Sequence, residues 1–477
     1  MGPSAQNQPN QGQPSNPRAV TRRSSAAPRV LSIGQERLWY LAQLTPDSAA
    51  YNSPFLCRLS GRIALPAFEQ ALDQVMQRHE VLRTAILMVN GSLVPMVLKK
   101  RRVEVKLVDL RHLPEAQREA EAQKAIQQES ARPFNFSRDP LFRAFLFQLA
   151  EDEHLFFHVA PHIAFEGGSV TILYRELSAF YNGFASANPV QLPELPFQYS
   201  DFAAWQRTWL QGERLDRLMK FWQEKLAAAP TLNLPVDFPR PPIPTMRGVR
   251  RSFSISPDLL SASNSFFAAA GTSSYRGLCA AFNVFLHCYS GQTDIRVGSP
   301  FLPRCRGIED LIGFFVNTVV LRTDLSGDPS FRKLLRRMDI VVHGATAHSD
   351  LTFDKILEAV RPPQDLSRNP LFQVNFRAPN QPYPSLQLNG VTATPAQYLD
   401  NGTAKFDLAL ELESATGQAC YFEYSTDLFK EETIVAMEAD FKNLLAALIA
   451  EPDAPLSAVN TVTAIQQRIQ RTATVPR

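Results

Sequence analysis

The sequence has few cysteines and no long apolar run. Its 477 residues include five cysteines, which are widely spread and form no CxxC pair. This pattern excludes a disulfide framework and a zinc knuckle, so we interpret the cysteines as reduced packing residues. No stretch reaches the roughly 18 apolar residues that a membrane-spanning helix needs, and the N-terminus lacks the apolar core of a signal peptide. We therefore predict a cytoplasmic protein that does not bind a membrane.

A strong net charge is also missing. The chain has 49 Lys and Arg against 46 Asp and Glu, a formal charge of +3. Four arginines and no acid lie in residues 1–30, so the rest of the chain carries −1 (45 − 46). This balance excludes a nucleic-acid surface by charge alone. The length and the 45% of apolar side chains instead predict a large core divided into two or three folding units.

Composition and periodicity predict an α+β protein with two lobes. Residues 1–28 have almost no large apolar side chain, so they predict a disordered tail, which is either a linker or a docking segment for a partner. The Pro-rich and charged segment 185–245 indicates a boundary. The predicted division is a tail at 1–28, an N-terminal lobe at 29–190, a C-terminal lobe at 191–470 and a second tail at 471–477.

Each lobe is predicted to mix helices and strands. The predicted helices are 65–80, 114–131, 170–182, 207–228, 273–289, 329–346 and 352–360, with one more beginning near Leu31. The predicted strands are 81–89, 94–99, 103–108, 141–148, 154–160, 294–298, 315–322, 371–377, 405–413 and 418–425. No internal sequence repeat is visible.

A strand-to-loop-to-helix transition draws attention to His162. The buried strand at 154–160 is broken by Pro161-His162, just before Glu166-Gly167-Gly168-Ser169 and the next helix. Such a loop can present an imidazole to a substrate proton, and on this local evidence a structural histidine stays open as the alternative.

A metal site at the three nearby histidines is not favoured. His154, His158 and His162 are four residues apart, but four residues of strand span about 13 Å, too far for one ion. We predict no metal, and structural roles for His154 and His158.

The order of seven motifs resembles the condensation domains of nonribosomal peptide synthetases over residues 31–470. Pro161-His162 to Glu166-Gly167 matches the family's His-His-x-x-x-Asp-Gly signature, with Pro161 in place of the first histidine and Glu166 in place of the aspartate. The opening motif is similar to those of domains that take L-configured or achiral donors. The other six matching segments are 31–39, 78–84, 199–205, 312–318, 348–353 and 365–372.

The resemblance implies a fold and a set of site residues. The fold would be two chloramphenicol-acetyltransferase-like lobes that form a V-shaped pseudo-dimer with a central tunnel. His162 would be catalytic, and Gly167 would leave room for the substrate and bring its N–H towards an oxyanion. Pro161, Glu166 and Arg304 would shape the site, with Glu166 paired to Arg304.

The resemblance also implies partners and a reaction. Ser299 and Asn317 would line the path of a phosphopantetheine arm, which is carried by partner carrier proteins and not held by the enzyme as a cofactor. The reaction would join a carrier-bound acyl or peptidyl thioester to an amine, or to a hydroxyl, giving an amide or an ester. Two alternatives stay open: a non-catalytic domain that docks carriers or recruits partners, and an acyltransferase that uses a soluble thioester. We predict a monomer.

Overall fold

The computed structural model describes residues 19–24, 26–99, 101–302, 305–379, 382–413 and 419–473. The helices within these ranges are α1 Ile33–Leu44, α2 Leu65–Arg78, α3 Glu115–Ala131, α4 Gly167–Ala185, α5 Tyr199–Trp209, α6 Gly212–Leu226, α7 Pro257–Ala269, α8 Ser274–Ser290, α9 Phe331–Ala347, α10 Phe353–Val360, α11 Glu431–Ala450 and α12 Asn460–Ala473. Short 3-10 helices cover Glu80–Arg83 and Leu456–Ala458. None of the helices in the described part of the chain is long and apolar enough to cross a membrane.

The strands form two six-stranded sheets and a hairpin. They are β1 Asn52–Ser60, β2 Thr84–Val89, β3 Ser92–Val97, β4 Val105–Asp109, β5 Arg143–Gln148, β6 Glu153–Pro161, β7 Gly248–Ser254, β8 Asp294–Phe301, β9 Asn317–Asp324, β10 Val374–Arg377, β11 Thr392–Ala393, β12 Gln397–Tyr398, β13 Leu408–Leu412 and β14 Ala419–Ser425. The first sheet has the order β11-β1-β6-β5-β4, with β12 also paired to β1. The second has the order β7-β14-β13-β10-β8-β9, and β2 pairs with β3.

The predicted α+β class is confirmed, because helices pack on each sheet around two separate apolar cores. In the first core α2 and α4 pack against each other. In the second, α8 is buried almost all round, contacting α9, α11 and α12. A helix that is apolar on all sides has to be enclosed, so α8 forms the centre of the second lobe.

The segment of residues 382–399 crosses between the two halves, and we call it the crossing segment. It follows β10 and precedes β13, both strands of the second sheet, yet its own β11 and β12 pair with β1 of the first sheet. Leu386 and Ala396 lie in the first core. A division into 29–190 and 191–470 therefore separates β11 and β12 from the sheet that they join.

The predicted boundaries also differ elsewhere. Val20 is buried in the first core and its N–H donates to the Arg306 carbonyl, so the described part of residues 19–28 is folded and not a disordered tail. The first core continues to Ala203 and the second begins at Leu210, beyond the predicted boundary at 190. Helix α12 continues to residue 473, past the predicted end at 470.

Candidate active site

The loop between β6 and α4 carries the signature residues. The predicted strand and helix are both present, and the strand ends at Pro161, which has no N–H with which to extend the ladder. The N–H of His162 still donates to the Tyr51 carbonyl at 2.7 Å, and Ala164 N–H donates to the Pro161 carbonyl at 3.0 Å. These bonds hold the residues after the strand in a tight turn, so the position of His162 is fixed by its backbone.

His162 has an apolar neighbour and a buried ring nitrogen. Its ring meets Phe314 edge to face, with centroids 4.9 Å apart. Nδ1 is buried and makes no hydrogen bond of normal geometry within the described residues. Burial lowers the pKa of His162 to about 3, the charges of Lys405 and Arg377 act in the same direction, and backbone groups oppose them. The imidazole is therefore neutral at physiological pH.

Three other sequence motifs converge on this loop. Gln35 Nε2 donates to the Ile163 carbonyl at 2.9 Å, and the Tyr199 hydroxyl donates to the Phe314 carbonyl at 2.6 Å. A Cβ on Gly34 would lie 2.8 Å from the Phe314 ring, so the glycine of the opening motif lets this phenyl group approach. Four motifs that are distant from one another in the sequence thus share one site around His162.

Glu166 is buried and is met by main-chain donors. Its Oε2 accepts N–H bonds from Phe315 at 3.0 Å and Val316 at 2.8 Å, which ties the signature loop to the residues just before β9. Burial raises the pKa of Glu166 to about 7, against the effect of these two donors. Arg304 lies outside the described residues, so the predicted pair of Glu166 with Arg304 stays a prediction.

Gly167 begins α4 and lies under a tyrosine. A Cβ at this position would be 2.8 Å from the hydroxyl oxygen of Tyr383, which belongs to the crossing segment. The need for glycine here is explained by that close approach, because any side chain would displace the tyrosine. The catalytic role of the Gly167 N–H stays a prediction.

One face of the second sheet is charged. Glu411 on β13 lies between Arg377 on the adjacent strand β10 and Arg250 on β7, which is two strands away. Arg250 Nε is 3.1 Å and Arg377 Nη1 is 3.7 Å from Glu411 Oε2. Burial alone would raise the pKa of Glu411, but Arg250 and Arg377 outweigh it and lower the pKa. The two guanidinium groups therefore keep the buried Glu411 carboxylate ionised.

Lys405 lies at the edge of the same charged face. Its Nζ is over the Tyr51 ring, 5.3 Å from the centroid, and makes no ion pair within the described residues. Burial lowers the pKa of Lys405, while Glu423 and Glu411 raise it. Its positive charge is one of those that act on His162.

His158 and His154 are not arranged as metal ligands. The His158 ring stacks between Phe55 and Phe142, at centroid distances of 5.4 and 5.3 Å, and both of its nitrogens are buried without a hydrogen bond within the described ranges. Burial lowers the pKa of His158 to about 3. No group of three or more His, Cys, Asp or Glu side chains among the described residues could hold a metal ion.

The two predicted lining residues have structural roles. Ser299 is fully buried, where its hydroxyl donates to the Phe376 carbonyl at 2.7 Å. The Asn317 amide donates to the carbonyls of Ser349 and Leu351 and accepts from Phe353 N–H, so no donor is left for a pantetheine arm. Ser299 is also 2.7 Å from the Tyr275 hydroxyl, so both predicted lining residues are already hydrogen-bonded within the protein, and their place beside a pantetheine arm stays a prediction.

Sequence reasoning missed Tyr383, Arg377 and Lys405. None of them lies within the seven motifs. Tyr383 belongs to the crossing segment, whose strands β11 and β12 have only two residues each and are too short to give a periodic pattern in the sequence. Lys405 begins the predicted strand 405–413 and precedes the observed strand β13, but only the tertiary fold places it near His162.

Two α+β halves that meet at a loop carrying a neutral histidine define the class: a chloramphenicol-acetyltransferase-like protein with one candidate catalytic loop. The condensation domain family model matches residues 28–469. The chain belongs to the condensation domain family, which confirms the predicted family and its fold.

Relatives and solved structures agree with this assignment. The chain is 39% and 41% identical to segments of linear gramicidin synthase subunits C and B of Brevibacillus parabrevis, over 90% and 89% of its length. It spans only 6% and 8% of those subunits. The X-domain from teicoplanin biosynthesis has a TM-score of 0.82 at 25% identity, covering 94% of this chain and all of that one. The complex of the X-domain and OxyB gives 0.80 at 26% identity, with 94% and 99% covered.

Proposed function

We propose that this chain joins a carrier-bound acyl or peptidyl thioester to an amine, forming an amide bond and releasing the thiol of the phosphopantetheine arm. The observation that carries the proposal is the position of His162, which its backbone holds at the point where four motifs meet. A neutral imidazole can accept a proton without first losing one, as general-base catalysis requires.

The proton transfer can be followed atom by atom. The amine nitrogen attacks the thioester carbon, and the nitrogen of the tetrahedral intermediate then carries a positive charge and an acidic N–H. The proposal assigns acceptance of this proton to Nε2 of His162, because Nδ1 is buried. The C–S bond breaks, and the imidazolium returns the proton to the leaving thiolate. Fixed placement of base and reactants supplies much of the rate.

The partners follow from the same proposal. A donor carrier protein brings the thioester, and a second carrier or a free small molecule brings the acceptor. A hydroxyl acceptor would give an ester through the same steps. The monomeric state and the cytoplasmic location remain predictions.

The test uses a purified chain with loaded donor carrier proteins and a panel of amines, alcohols and loaded acceptor carriers. Intact-protein mass spectrometry measures transfer of the acyl group from the donor. We expect product from the wild type with at least one amine acceptor, and little from His162→Ala. Equal product from both proteins would contradict the proposal. Activity with a soluble acyl thioester as high as with the carrier would instead favour the acyltransferase alternative.

A second candidate is a non-catalytic recruitment domain. It is supported by the similarity to the X-domain, which has been solved in complex with OxyB. In this case the chain would bind a partner or carrier protein without transferring the acyl group. Binding measured by titration calorimetry, together with no turnover by the wild type, would favour this candidate.

A further inference from the structure

Tyr383 crosses from the second half of the chain to the start of α4. Its ring packs edge to face on Phe55, with centroids 5.1 Å apart, and its hydroxyl lies next to Gly167. The side chain is partly buried. A tyrosine hydroxyl brought this close to the signature loop requires an explanation in addition to packing.

The hydroxyl of Tyr383 has one donor that is not used. Arg377 Nη2 donates to the phenolic oxygen, and a guanidinium has no acceptor to give in return. Within the described residues no other group accepts from this hydroxyl, so its hydrogen is free for a substrate. The arginine also polarises the O–H bond, which makes the phenol a better donor.

Arg377 is held from behind, so the tyrosine is held too. Its guanidinium is paired with Glu411, which is bound in turn by Arg250. Burial and the paired carboxylate fix the arginine on the second sheet, and its pKa is raised by Tyr383 and Glu411. The hydroxyl is thus oriented before a substrate arrives, which is the property that makes a donor effective at an anionic oxygen.

We propose that Tyr383 is a catalytic residue whose hydroxyl donates a hydrogen bond to the thioester carbonyl oxygen as it becomes the oxyanion. This assignment rests on the proposed amide-forming function. As the amine forms its C–N bond, negative charge collects on the carbonyl oxygen and Tyr383 stabilises it. No proton leaves the tyrosine, and the C=O bond is restored when the C–S bond breaks. His162 and Tyr383 then act on the same intermediate, one on nitrogen and sulfur, the other on oxygen.

The first test is Tyr383→Phe, which removes the hydroxyl and keeps the ring on Phe55. We expect the single-turnover rate of acyl transfer from a loaded donor carrier to fall by about 30-fold or more, with little change in half-saturation by the carrier, because removal of one oxyanion donor commonly costs about 100-fold or more. The matched control is Tyr181→Phe, whose hydroxyl accepts the Ala64 N–H. Tyr181 lies 14 residues along α4 from Gly167, about 21 Å away. This control is expected to stay within about threefold of the wild-type rate.

The second test is a double-mutant cycle with Gly167→Ala. The added methyl group displaces the hydroxyl, so the single variant should lose rate, and in the Tyr383→Phe background it should cost much less. Circular dichroism and thermal unfolding show whether each variant is folded. Additive losses would overturn the assignment, since the two positions would then act independently.

The outcomes separate this inference from the proposed function. If the wild type is active, His162→Ala is inactive and Tyr383→Phe is as fast as the wild type, the tyrosine assignment is wrong and the function stands. If the wild type gives no product with any loaded pair, the function and the assignment both fail. A slow Tyr383→Phe beside an active Tyr181→Phe supports the assignment.

Discussion

Two buried ionisable side chains, His158 on the first six-stranded sheet and Glu411 on the second, have opposite environments. On the first sheet, His158 lies between two phenyl rings without a hydrogen bond within the described residues, and its pKa falls to about 3 because burial penalises the charged form. On the second sheet, Glu411 is also buried but stays ionised because Arg250 and Arg377 lie beside it. The uncharged surroundings of His158 and the paired charges around Glu411 adjoin each other at the crossing segment. There the Tyr398 ring contacts both Phe55 and Arg250.

The difference explains how a neutral base is obtained. Burial on the side of the first sheet lowers the pKa of His162, and the cations of the second sheet lower it further. Two independent causes act on one imidazole, so the loss of either leaves the other in place.

The largest effect is expected from His162→Ala. We expect the rate of acyl transfer to fall by about 100-fold to 10,000-fold, the usual range for loss of a general base, with the fold intact. Single-turnover mass spectrometry measures the rate, and His343→Ala on the exposed side of α9 is the matched control. A loss below about tenfold would remove His162 from the chemistry.

The next prediction compares two buried glutamates by their pH dependence. Because the folded pKa of Glu166 is raised from 4.5 to about 7, its contribution to stability is present below pH 4.5 and is lost as the pH rises through 7. Glu166→Gln should therefore gain stability relative to the wild type between pH 5 and pH 8, by up to about 3 kcal/mol. Urea unfolding at both pH values measures the difference.

Glu411→Gln is the control of opposite sign. The folded pKa of Glu411 is lowered, so its stabilising contribution is present above the unfolded pKa and is lost as the pH falls through the folded pKa. This variant should be less stable than the wild type at pH 8, because it leaves Arg250 and Arg377 without their carboxylate. The comparison between the sheets breaks if both variants change stability in the same direction.

Glu166→Asp tests the length of the carboxylate arm. Loss of one methylene draws the carboxylate back from the N–H groups of Phe315 and Val316, which costs about 1–3 kcal/mol in stability. We expect a roughly tenfold slower acyl transfer as well, because these residues adjoin Phe314 beside His162. An aspartate variant as stable and active as the wild type would show that the loop adjusts freely.

Lys405→Met tests how much a cation near the second sheet contributes to the low pKa of His162. Removing this cation should raise the pKa of His162 from about 3 and leave it well below 6.5, because burial is the larger cause. NMR titration of the His162 ring follows the change. A pKa near 6.5 in the variant would mean that the charge, and not burial, keeps the ring neutral.

The smallest effect is expected at His158→Phe. The ring is already enclosed by Phe55 and Phe142 and makes no hydrogen bond within the described residues, so a phenyl group should leave stability within about 1 kcal/mol of the wild type. Acyl transfer should be unchanged. A tenfold loss of rate would instead give His158 a part in the reaction.

The sequence was sufficient to locate the candidate site but not to identify all of the residues in it. Strand 154–160, the loop and helix 170–182 were predictable because Pro161 and the glycines interrupt two clear patterns. Strand β1 was missed, because it is buried on both faces for most of its length and carries Pro54 in place of an alternating pattern. Ser299 and Asn317 were assigned to a channel on residue type alone, and such groups bind backbone just as well.

The contacts that could not be predicted from the sequence are those between residues far apart in the chain. Gly167 was expected to leave space for a substrate, whereas the space over its Cα contains the hydroxyl of Tyr383. The partner of Glu166 was expected to be an arginine, and its described partners are two peptide N–H groups. Both results depend on chain segments about 150 residues or more apart, beyond the reach of local patterns.

The crossing segment has a consequence for anyone who recombines halves of such proteins. A cut at residue 190 would leave the first sheet without β11 and β12 and would leave β1 with an open edge, which is prone to aggregation. A chimera that exchanges the second half should therefore retain residues 382–399 of the first parent. Tyr383 and the His162 loop would then come from the same parent. The residue at the position of Arg377, which donates to the Tyr383 hydroxyl, would come from the other parent.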